Sequence, residues 1–363
     1  MLNKNKLRLS AVAAIVTAGV AFSALPAMAD PTAGTFAALS GVGSDTIQDV
    51  MNGMSTKVSA IASYDATGGG TIQTKAGGNA FNRPVGSGNG VAALSDSINS
   101  TGTKLWNSVD ITGQIDFARS SSGPSSSFPG TVLTYIPFAQ DAVTFAVNSG
   151  SDFPRDIPVG AAAQDSITPA PFTLRNIYRC VATTYTDNDS NSVTIRPLLP
   201  QTGSGTRKFW LTTLGLTEAT KGSCDTDLAN SVIEHDGTYV SGAGDIAPFS
   251  IAQYLAQGNH VALPTTVVER RGQAQLGFIS GIKPIIPTPG TTGGTEMNPN
   301  FPVFRNVYNV VETARLTSDA TLQATFSGPT SSVCTNVNTI KQYGFAPIAN
   351  CGNTTIYKSG YTA

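Results

Sequence analysis

Four short turns rich in glycine and serine constrain the fold of this chain more than any other feature. Each turn follows a strand-like segment and opens a helix or a further turn. They are GVGSDT (41–46), VGSGNG (85–90), ARSSSG (118–123) and TGSGTR (202–207). Alternating strand-like and helix-like segments are typical of α/β proteins. The sequence therefore predicts an α/β fold in which successive units end in similar turns.

Such turns have a chemistry in common. A helix N-terminus leaves backbone N–H groups without intrahelical partners and carries partial positive charge. Glycine lets a ligand approach the main chain, and serine or threonine hydroxyls add uncharged donors. One such turn is an ordinary connector in a chain with 37 glycines. Four of them facing one cleft would form an anion site without a basic patch.

The N-terminal segment, residues 1–29, predicts export. It has a positively charged start, an apolar run over 11–25, and the small-x-small sequence Ala27-Met28-Ala29. These are the parts of a cleavable signal peptide, so we expect the mature chain to begin near Asp30. The alternative is a membrane anchor, for which the apolar run is short. No cysteine follows the run at a lipidation site, so we expect a secreted or periplasmic protein without a lipid anchor.

The length of the chain indicates its domain organisation, and its low charge limits the classes of partner it can bind. Residues 30–363 exceed what one hydrophobic core usually organises, which favours two lobes. Only 12% of the residues are charged and the net charge is −1. A surface of this kind does not attract polyanions at long range, so nucleic acid is not expected as a partner.

The chain has four cysteines, at positions 180, 224, 334 and 351. An even number in an exported protein predicts disulfides, and we expect the sequential pairs Cys180–Cys224 and Cys334–Cys351. A metal site is the alternative, but no CxxC motif or nearby histidine supports it. We expect no metal and no cofactor.

The turns and their surroundings carry a family resemblance. The strongest element is TGSGTRKFWLTTLG (202–215), followed by GSDT (43–46). VGSGNGV is similar to a GSSGGV turn, IDFARSSS to a DFGASD segment, and IPFAQDAVTFAVN to a crossover between lobes. In these motifs the chain resembles the phosphate-binding proteins of bacterial ABC transporters, which have the type 2 periplasmic-binding fold.

The resemblance implies two lobes with a ligand cleft between them. After the signal peptide at 1–29, lobe 1 would comprise 30–138 and 249–363, and lobe 2 would comprise 139–248. The chain would cross between lobes near Phe138–Asp141 and near Ile246–Ser250, where Asp141 would orient the hinge. The resemblance also implies a monomer that works with an ABC permease.

The resemblance further implies which residues hold the anion. The three turns that match best supply hydroxyls and main-chain amides, and the ARSSSG turn adds two serines and a cation. Together with Arg119 and Arg207, which are candidate counter-charges and not family positions, the expected ligand-binding set is Ser44, Asp45, Thr46, Ser87, Arg119, Ser120, Ser121, Ser204, Gly205, Thr206 and Arg207.

Two positions depart from the family pattern. The family's aspartate falls at Ser121 and its arginine at Pro200. Asp45 is a candidate replacement for the aspartate, although its side chain could instead cap a helix. Arg119 and Arg207 are the candidate counter-charges, with Arg196 a weaker one, because a buried anion needs strong donors around it.

We therefore expect a solute-binding protein that captures phosphate or a similar oxyanion, and not an enzyme. A secreted phosphatase or esterase would need a histidine or paired carboxylates. His235 lies in a segment typical of an exposed turn, His260 lies near a helix end, and no GxSxG motif is present. The other alternative is an interaction or scavenging protein that has kept the fold and lost the ligand.

Overall fold

The computed structural model describes residues 30–98, 105–263 and 267–361. The predicted signal peptide, residues 1–29, lies outside these ranges, so its removal stays a prediction. Within these ranges, none of the helices combines the length and the apolar character that crossing a bilayer requires.

The described chain alternates strands and helices, as predicted. The strands are β1 Leu39–Gly43, β2 Ile61–Ser63, β3 Thr71–Ile72, β4 Phe81–Asn82, β5 Phe117–Ser120, β6 Leu133–Asn148, β7 Thr184–Thr186, β8 Ser192–Thr194, β9 Arg196–Pro197, β10 Asp245–Ser250, β11 Ala274–Leu276, β12 Ile285–Pro287, β13 Thr295–Met297, β14 Phe304–Glu312 and β15 Lys358–Ser359. The helices are α1 Gln48–Ser55, α2 Ser87–Ile98, α3 Leu174–Tyr178, α4 Gly205–Thr213, α5 Ile251–Gly258, α6 Arg315–Ser318, α7 Ala320–Phe326, α8 Ser332–Thr335 and α9 Val337–Gln342. This mixture confirms the α/β class.

The small-residue turns begin helices in the structure. α2 begins at Ser87 and α4 begins at Gly205, each directly after its glycine-rich turn. In the first turn, GVGSDT, Asp45 and Thr46 are residues typical of a helix N-cap, but neither caps the helix. A short 3₁₀ helix, Asp45–Ile47, intervenes before α1, and neither it nor α1 has a side-chain cap. The Asp45 carboxylate is therefore not used as a cap.

The main sheet has the strand order β2-β1-β5-β14-β6-β10-β9, with β11 and β15 also pairing with β6. β1 pairs in parallel with β2 and with β5, which places the ends of β1 and β5 at one edge of the sheet. β6 is a single strand of 16 residues. Its first part, to Ala142, pairs with β14, and its second part, from Val143, pairs with β10.

Three segments differ from their sequence-based description. The segment 242–259 is typical of a turn that leads into a helix, but the structure has a strand, β10, before the helix α5. Residues 245–250 are buried on both faces, so their sequence shows no strand-like alternation. The pattern of FTLRNIYRCVATTY (172–185) predicts a helix, but only the short α3 forms within it. The sequence of the C-terminal tail, from Leu322, predicts one helix, whereas the structure has α7, α8 and α9 there.

The buried apolar residues form three clusters that define two lobes. The first lobe contains β1, β5, β14, α1, α2 and the first part of β6, and it holds two of the clusters. The second lobe contains β9, β10, α3, α4 and the second part of β6 around the third cluster. On β6, Ala139 packs in the first lobe and Ala142 in the second. The limits 138/139 and 248/249 stay predictions.

A buried ion pair ties the segments that pass between the lobes. Asp141 on β6 accepts hydrogen bonds from the guanidinium of Arg305 on β14, over 2.8 and 3.1 Å. Its other oxygen accepts from the Ser250 hydroxyl over 2.9 Å and from the backbone N–H of Ala252 over 3.1 Å. Asp141 is fully buried, so it joins β6, β14 and the β10–α5 connection away from solvent.

Both predicted disulfides are present. Cys180 is bonded to Cys224 and Cys334 to Cys351. The first bridge closes a loop in the second lobe. The second joins α8 to the segment after α9 in the first lobe. Neither bridge connects one lobe with the other.

Candidate functional site

The four turns predicted from the sequence meet where the two lobes face each other. The hydroxyl oxygens of Thr46 and Thr206, from different lobes, lie 3.4 Å apart. The hydroxyl oxygens of Ser87 and Ser121 lie 3.1 Å apart, and the backbone N–H of Ser121 donates to the Ser87 hydroxyl over 2.9 Å. All of these side chains are buried. The fold thus brings together hydroxyls that are up to 160 residues apart in sequence.

Glycine makes this approach possible at Gly205, the first residue of α4. A Cβ atom there would lie 2.5 Å from the hydroxyl oxygens of both Ser87 and Ser121, closer than real Cβ contacts allow. Next to it, the backbone N–H of Gly88 donates to the carbonyl oxygen of Gly203 over 3.0 Å. The N-termini of α2 and α4 therefore meet backbone to backbone across the lobes.

The predicted hydroxyls fall into two groups. The Ser204 hydroxyl accepts from the backbone N–H groups of Thr206 and Arg207, each over 3.1 Å, and so caps α4. The Ser120 hydroxyl donates to the carbonyl oxygen of Ser122 within its own turn. The Ser44 hydroxyl is buried and has no hydrogen-bond partner among the described residues. Ser44 thus keeps a free hydroxyl, whereas Ser204 and Ser120 are used by the local backbone.

Arg119 lies in the predicted set but has a different environment from the one expected of a counter-charge. Its guanidinium is fully buried and donates twice to the carbonyl oxygen of Gly43, over 2.6 and 2.9 Å. It also donates to the Ser63 hydroxyl and to the carbonyl oxygen of Tyr64, each over 2.6 Å. Burial lowers the pKa of Arg119 to about 10. The geometry makes Arg119 a support that holds the first turn against β2.

Arg207 and Arg196 are also engaged elsewhere. Arg207 forms a bidentate pair with Glu218 and a further pair with Asp227, over 2.7 to 3.0 Å. Arg196 forms a bidentate pair with Asp245 on the next strand. Both cations are already paired with carboxylates, so neither offers its charge to the place where the turns meet.

Three residues outside the predicted set, Glu234, His235 and Arg270, lie next to the point where the turns meet. The Thr46 hydroxyl donates to the carboxylate of Glu234 over 2.9 Å. His235 Nδ1 lies 4.0 Å from the Asp45 carboxylate, and His235 Nε2 lies 3.3 Å from the guanidinium of Arg270. We call Ser44, Asp45, Thr46, Thr206, Glu234, His235 and Arg270 the polar centre.

The description of His235 as part of an exposed turn is wrong. Its side chain is only 2% exposed, and Glu234 is 1% exposed. Gln257 on α5 donates to the backbone carbonyl oxygen of His235 over 2.6 Å, which holds this segment against the helix. The sequence gives only a weak indication that Glu234 and His235 are buried. These two titratable residues directly follow the apolar pair Val232 and Ile233, which is itself expected to be inside.

Burial controls the protonation of the polar centre. The pKa of Asp45 is raised well above its usual value by burial, by the negative charge of Glu234, and by a hydrogen bond between the two carboxyl groups. Both Asp45 oxygens and Glu234 Oε2 have no other partner among the described residues. The protonated, uncharged form of Asp45 is therefore favoured, and its O–H can donate to the Glu234 carboxylate.

His235 is neutral in this environment. Burial and then the charge of Arg270 lower its pKa well below the usual value. Since Arg270 can only donate, His235 Nε2 is the acceptor, and the ring proton is on Nδ1, which faces Asp45. The polar centre thus combines the guanidinium of Arg270, a neutral imidazole and the adjacent carboxyl groups of Asp45 and Glu234.

Asp49 on α1, beside the polar centre, should make the free energy of unfolding depend on pH, and the direction of that change can be stated. Burial raises its pKa from 3.8 to about 7. Between these values the folded chain keeps a proton that the unfolded chain has lost, so the free energy of unfolding falls as the pH rises. A shift of this size corresponds to about 4 kcal/mol. We expect Asp49→Asn to remove that loss in urea unfolding measured at pH 4.5 and pH 7.5.

His235 contributes with the opposite sign at low pH, but it is present in both proteins, so the difference isolates Asp49. Asp189→Asn, at an exposed position in the β7–β8 hairpin, is the matched control and should behave like the wild type. Parallel pH curves for wild type and Asp49→Asn would contradict the assignment.

The described residues contain one group with the spacing of a metal site, formed by Cys180, Cys224 and Asp225. Its two sulfur atoms are joined in a disulfide and offer no thiolate. This group is therefore a disulfide beside a carboxylate.

Comparison with known proteins places the chain in a family. A family model described as a PBP superfamily domain matches residues 28–326. Among solved structures, the chain is similar to an ABC-type phosphate transport receptor from Vibrio cholerae, with 14% identity over 85% of this chain and 100% of that one, and a TM-score of 0.48. It is also similar to a phosphate-binding protein from Stenotrophomonas maltophilia, with 14% identity over 86% and 91% and a TM-score of 0.46. No curated protein matches.

Proposed function

Because the chain belongs to the PBP superfamily, we propose that it captures hydrogen phosphate, or a similar oxyanion group that carries a proton, between its two lobes. The observation that carries the proposal is the meeting of Thr46 from one lobe with Thr206 from the other, beside Ser87 and Ser121. The helices α2 and α4 both begin at this point, so their N-terminal backbone N–H groups and partial positive charges lie close together there.

Capture in this site requires the lobes to move. Two hydroxyls that both donate to one anion lie roughly 4–5 Å apart, because each O–H···O bond needs about 2.7 Å. Thr46 and Thr206 lie 3.4 Å apart. The lobes would therefore separate, admit the anion and close again around it, with β6 and the β10–α5 connection absorbing the bend.

The polar centre favours an oxyanion that carries a proton. The Thr46 hydroxyl has one proton, which it donates to Glu234, so Thr46 can donate to an anion only by releasing Glu234. The Glu234 carboxylate would then face that anion. Two like charges at that distance repel unless a proton lies between them. Hydrogen phosphate brings such a proton at neutral pH, and sulfate does not. Arg270 is the described cation that reaches the polar centre, and it replaces Arg119 and Arg207 as the proposed counter-charge.

The proposal is one of binding and not of catalysis. The ring nitrogens of His235 face Arg270 and Asp45 rather than a serine hydroxyl, so the imidazole has no nucleophile to activate there. We further propose that the chain is exported and delivers its ligand to an ABC permease as a monomer.

Isothermal titration of the purified chain with phosphate, arsenate and sulfate tests this function. We expect phosphate and arsenate to bind at least tenfold more tightly than sulfate. Glu234→Gln should reduce that preference, because an amide does not repel sulfate and also donates to it. Glu296→Gln on β13, outside the site, is the matched control.

The absence of heat with every anion would overturn the proposal and favour an interaction protein that has lost its ligand. Equal binding of sulfate and phosphate by the wild type would overturn the proton-acceptor role of Glu234 while leaving capture of an oxyanion intact.

A further inference from the structure

A cleft of about 780 Å³ opens directly beside the meeting point of the turns. Its lining includes Ser87 and Gly205, which also take part in the contact between α2 and α4. Its walls come from both lobes, α2 and the segment 120–128 on one side and α4 with the residues after it on the other. A ligand held at the helix N-termini would therefore have this space next to it.

The cleft is large for an inorganic anion. A phosphate ion has five non-hydrogen atoms and takes less than roughly 150 Å³, because each bonded atom occupies less space than the ~30 Å³ of a separate water molecule. Pockets for organic ligands commonly measure about 300–1,000 Å³. The volume beside the turns is in that organic-ligand range.

The lining combines apolar surface with an unpaired positive charge. Val91, Phe128, Tyr135, Leu211 and Leu216 supply apolar contacts from both walls. Arg207 and Glu218 also line the cleft but neutralise each other in a bidentate pair. Lys208 lines it as well, and within the described part of the chain its ammonium has no carboxylate partner. An apolar body with an anionic head fits such a lining.

We propose that the natural ligand is an organic phosphoryl compound with a small apolar substituent. Its phosphoryl group would lie at the N-termini of α2 and α4, and its substituent would fill the cleft between Val91 and Leu211. This inference rests on the proposed capture of an oxyanion at the turns and adds the class of molecule that brings it.

Two phosphonates with the same head group test the inference by isothermal titration, beside inorganic phosphate. Methylphosphonate fills little of the cleft, and phenylphosphonate places a ring in it. We expect phenylphosphonate to bind at least tenfold more tightly than methylphosphonate, because burial of an aromatic ring removes apolar surface from water.

Thr212→Trp, at an exposed position of α4 that lines the cleft, should remove this gain and leave the affinity for inorganic phosphate within about twofold. Ala92→Phe, on the opposite wall in α2, should do the same, so the test does not depend on one variant folding. Thr186→Trp, exposed on β7 and outside the cleft, is the matched control.

The outcomes separate the inference from the function beneath it. Phosphate binding without any preference for phenylphosphonate overturns the inference alone. Loss of the preference in both cleft variants, with phosphate binding retained, supports it. If neither phosphate nor the phosphonates bind, the proposed function fails and the inference fails with it.

Discussion

Replacing Thr206 by aspartate should abolish oxyanion binding. Thr206 lies at the second position of α4, its hydroxyl is 3.4 Å from that of Thr46, and its side chain is fully buried. A carboxylate there would face the anion from about 4 Å. Two such charges repel by about 4 kcal/mol at an effective dielectric constant of ~20, which corresponds to a loss of about a thousandfold in affinity.

The measurement is a titration with phosphate of Thr206→Asp, Thr206→Ser and Thr220→Asp. Thr206→Ser keeps the hydroxyl and should bind almost as the wild type does. Thr220→Asp adds the same charge at an exposed position of the second lobe and should have little effect. Circular dichroism should show an intact fold, since an acidic residue in the first turn of a helix is favourable there. Unchanged phosphate binding by Thr206→Asp would show that α4 does not contact the anion.

Replacing Asp141 by alanine should lower the free energy of unfolding more than any other substitution proposed here. Asp141 is fully buried, and the guanidinium of Arg305 is 3% exposed. Removing one partner of a buried pair leaves an uncompensated charge and typically costs about 3–5 kcal/mol. Here the Ser250 hydroxyl and the N–H of Ala252 also lose their acceptor. We expect the free energy of unfolding in urea to fall by at least that amount.

Two further variants complete this test. Glu218→Ala removes the partner of Arg207, but Glu218 is 59% exposed, so we expect a loss below about 1 kcal/mol. Asp141→Ala combined with Arg305→Met removes both charges and should recover part of the stability. If Asp141→Ala costs no more than Glu218→Ala, the pair does not hold the crossing segments together.

The local features of the fold were predictable because they are encoded within a few residues. A glycine-serine turn followed by an apolar helical pattern is such a signal, and α2 and α4 begin where the turns predicted. β10 was missed because a strand buried on both faces shows no alternation over 245–250. The short helices of the tail have no strong periodicity from which to separate them.

The candidate site was predictable only in part, for a different reason. Small-residue turns show where backbone can approach a ligand, and these turns do meet. The sequence does not show what a long side chain reaches. Arg119 stands in the expected turn, yet the carbonyl oxygen of Gly43 in the first turn takes two of its donors. Glu234 contacts Thr46 across 188 residues, and no local pattern indicates that contact.

The two disulfides should affect the stability of the folded chain but not the movement of one lobe relative to the other. Each covalent link closes a loop inside its own half of the molecule, and no link spans the gap. An oxidising medium should therefore prolong the lifetime of the folded chain without restricting the travel of one half against the other. A reducing medium should shorten that lifetime. It should leave the affinity for the ligand unchanged as long as the chain remains folded.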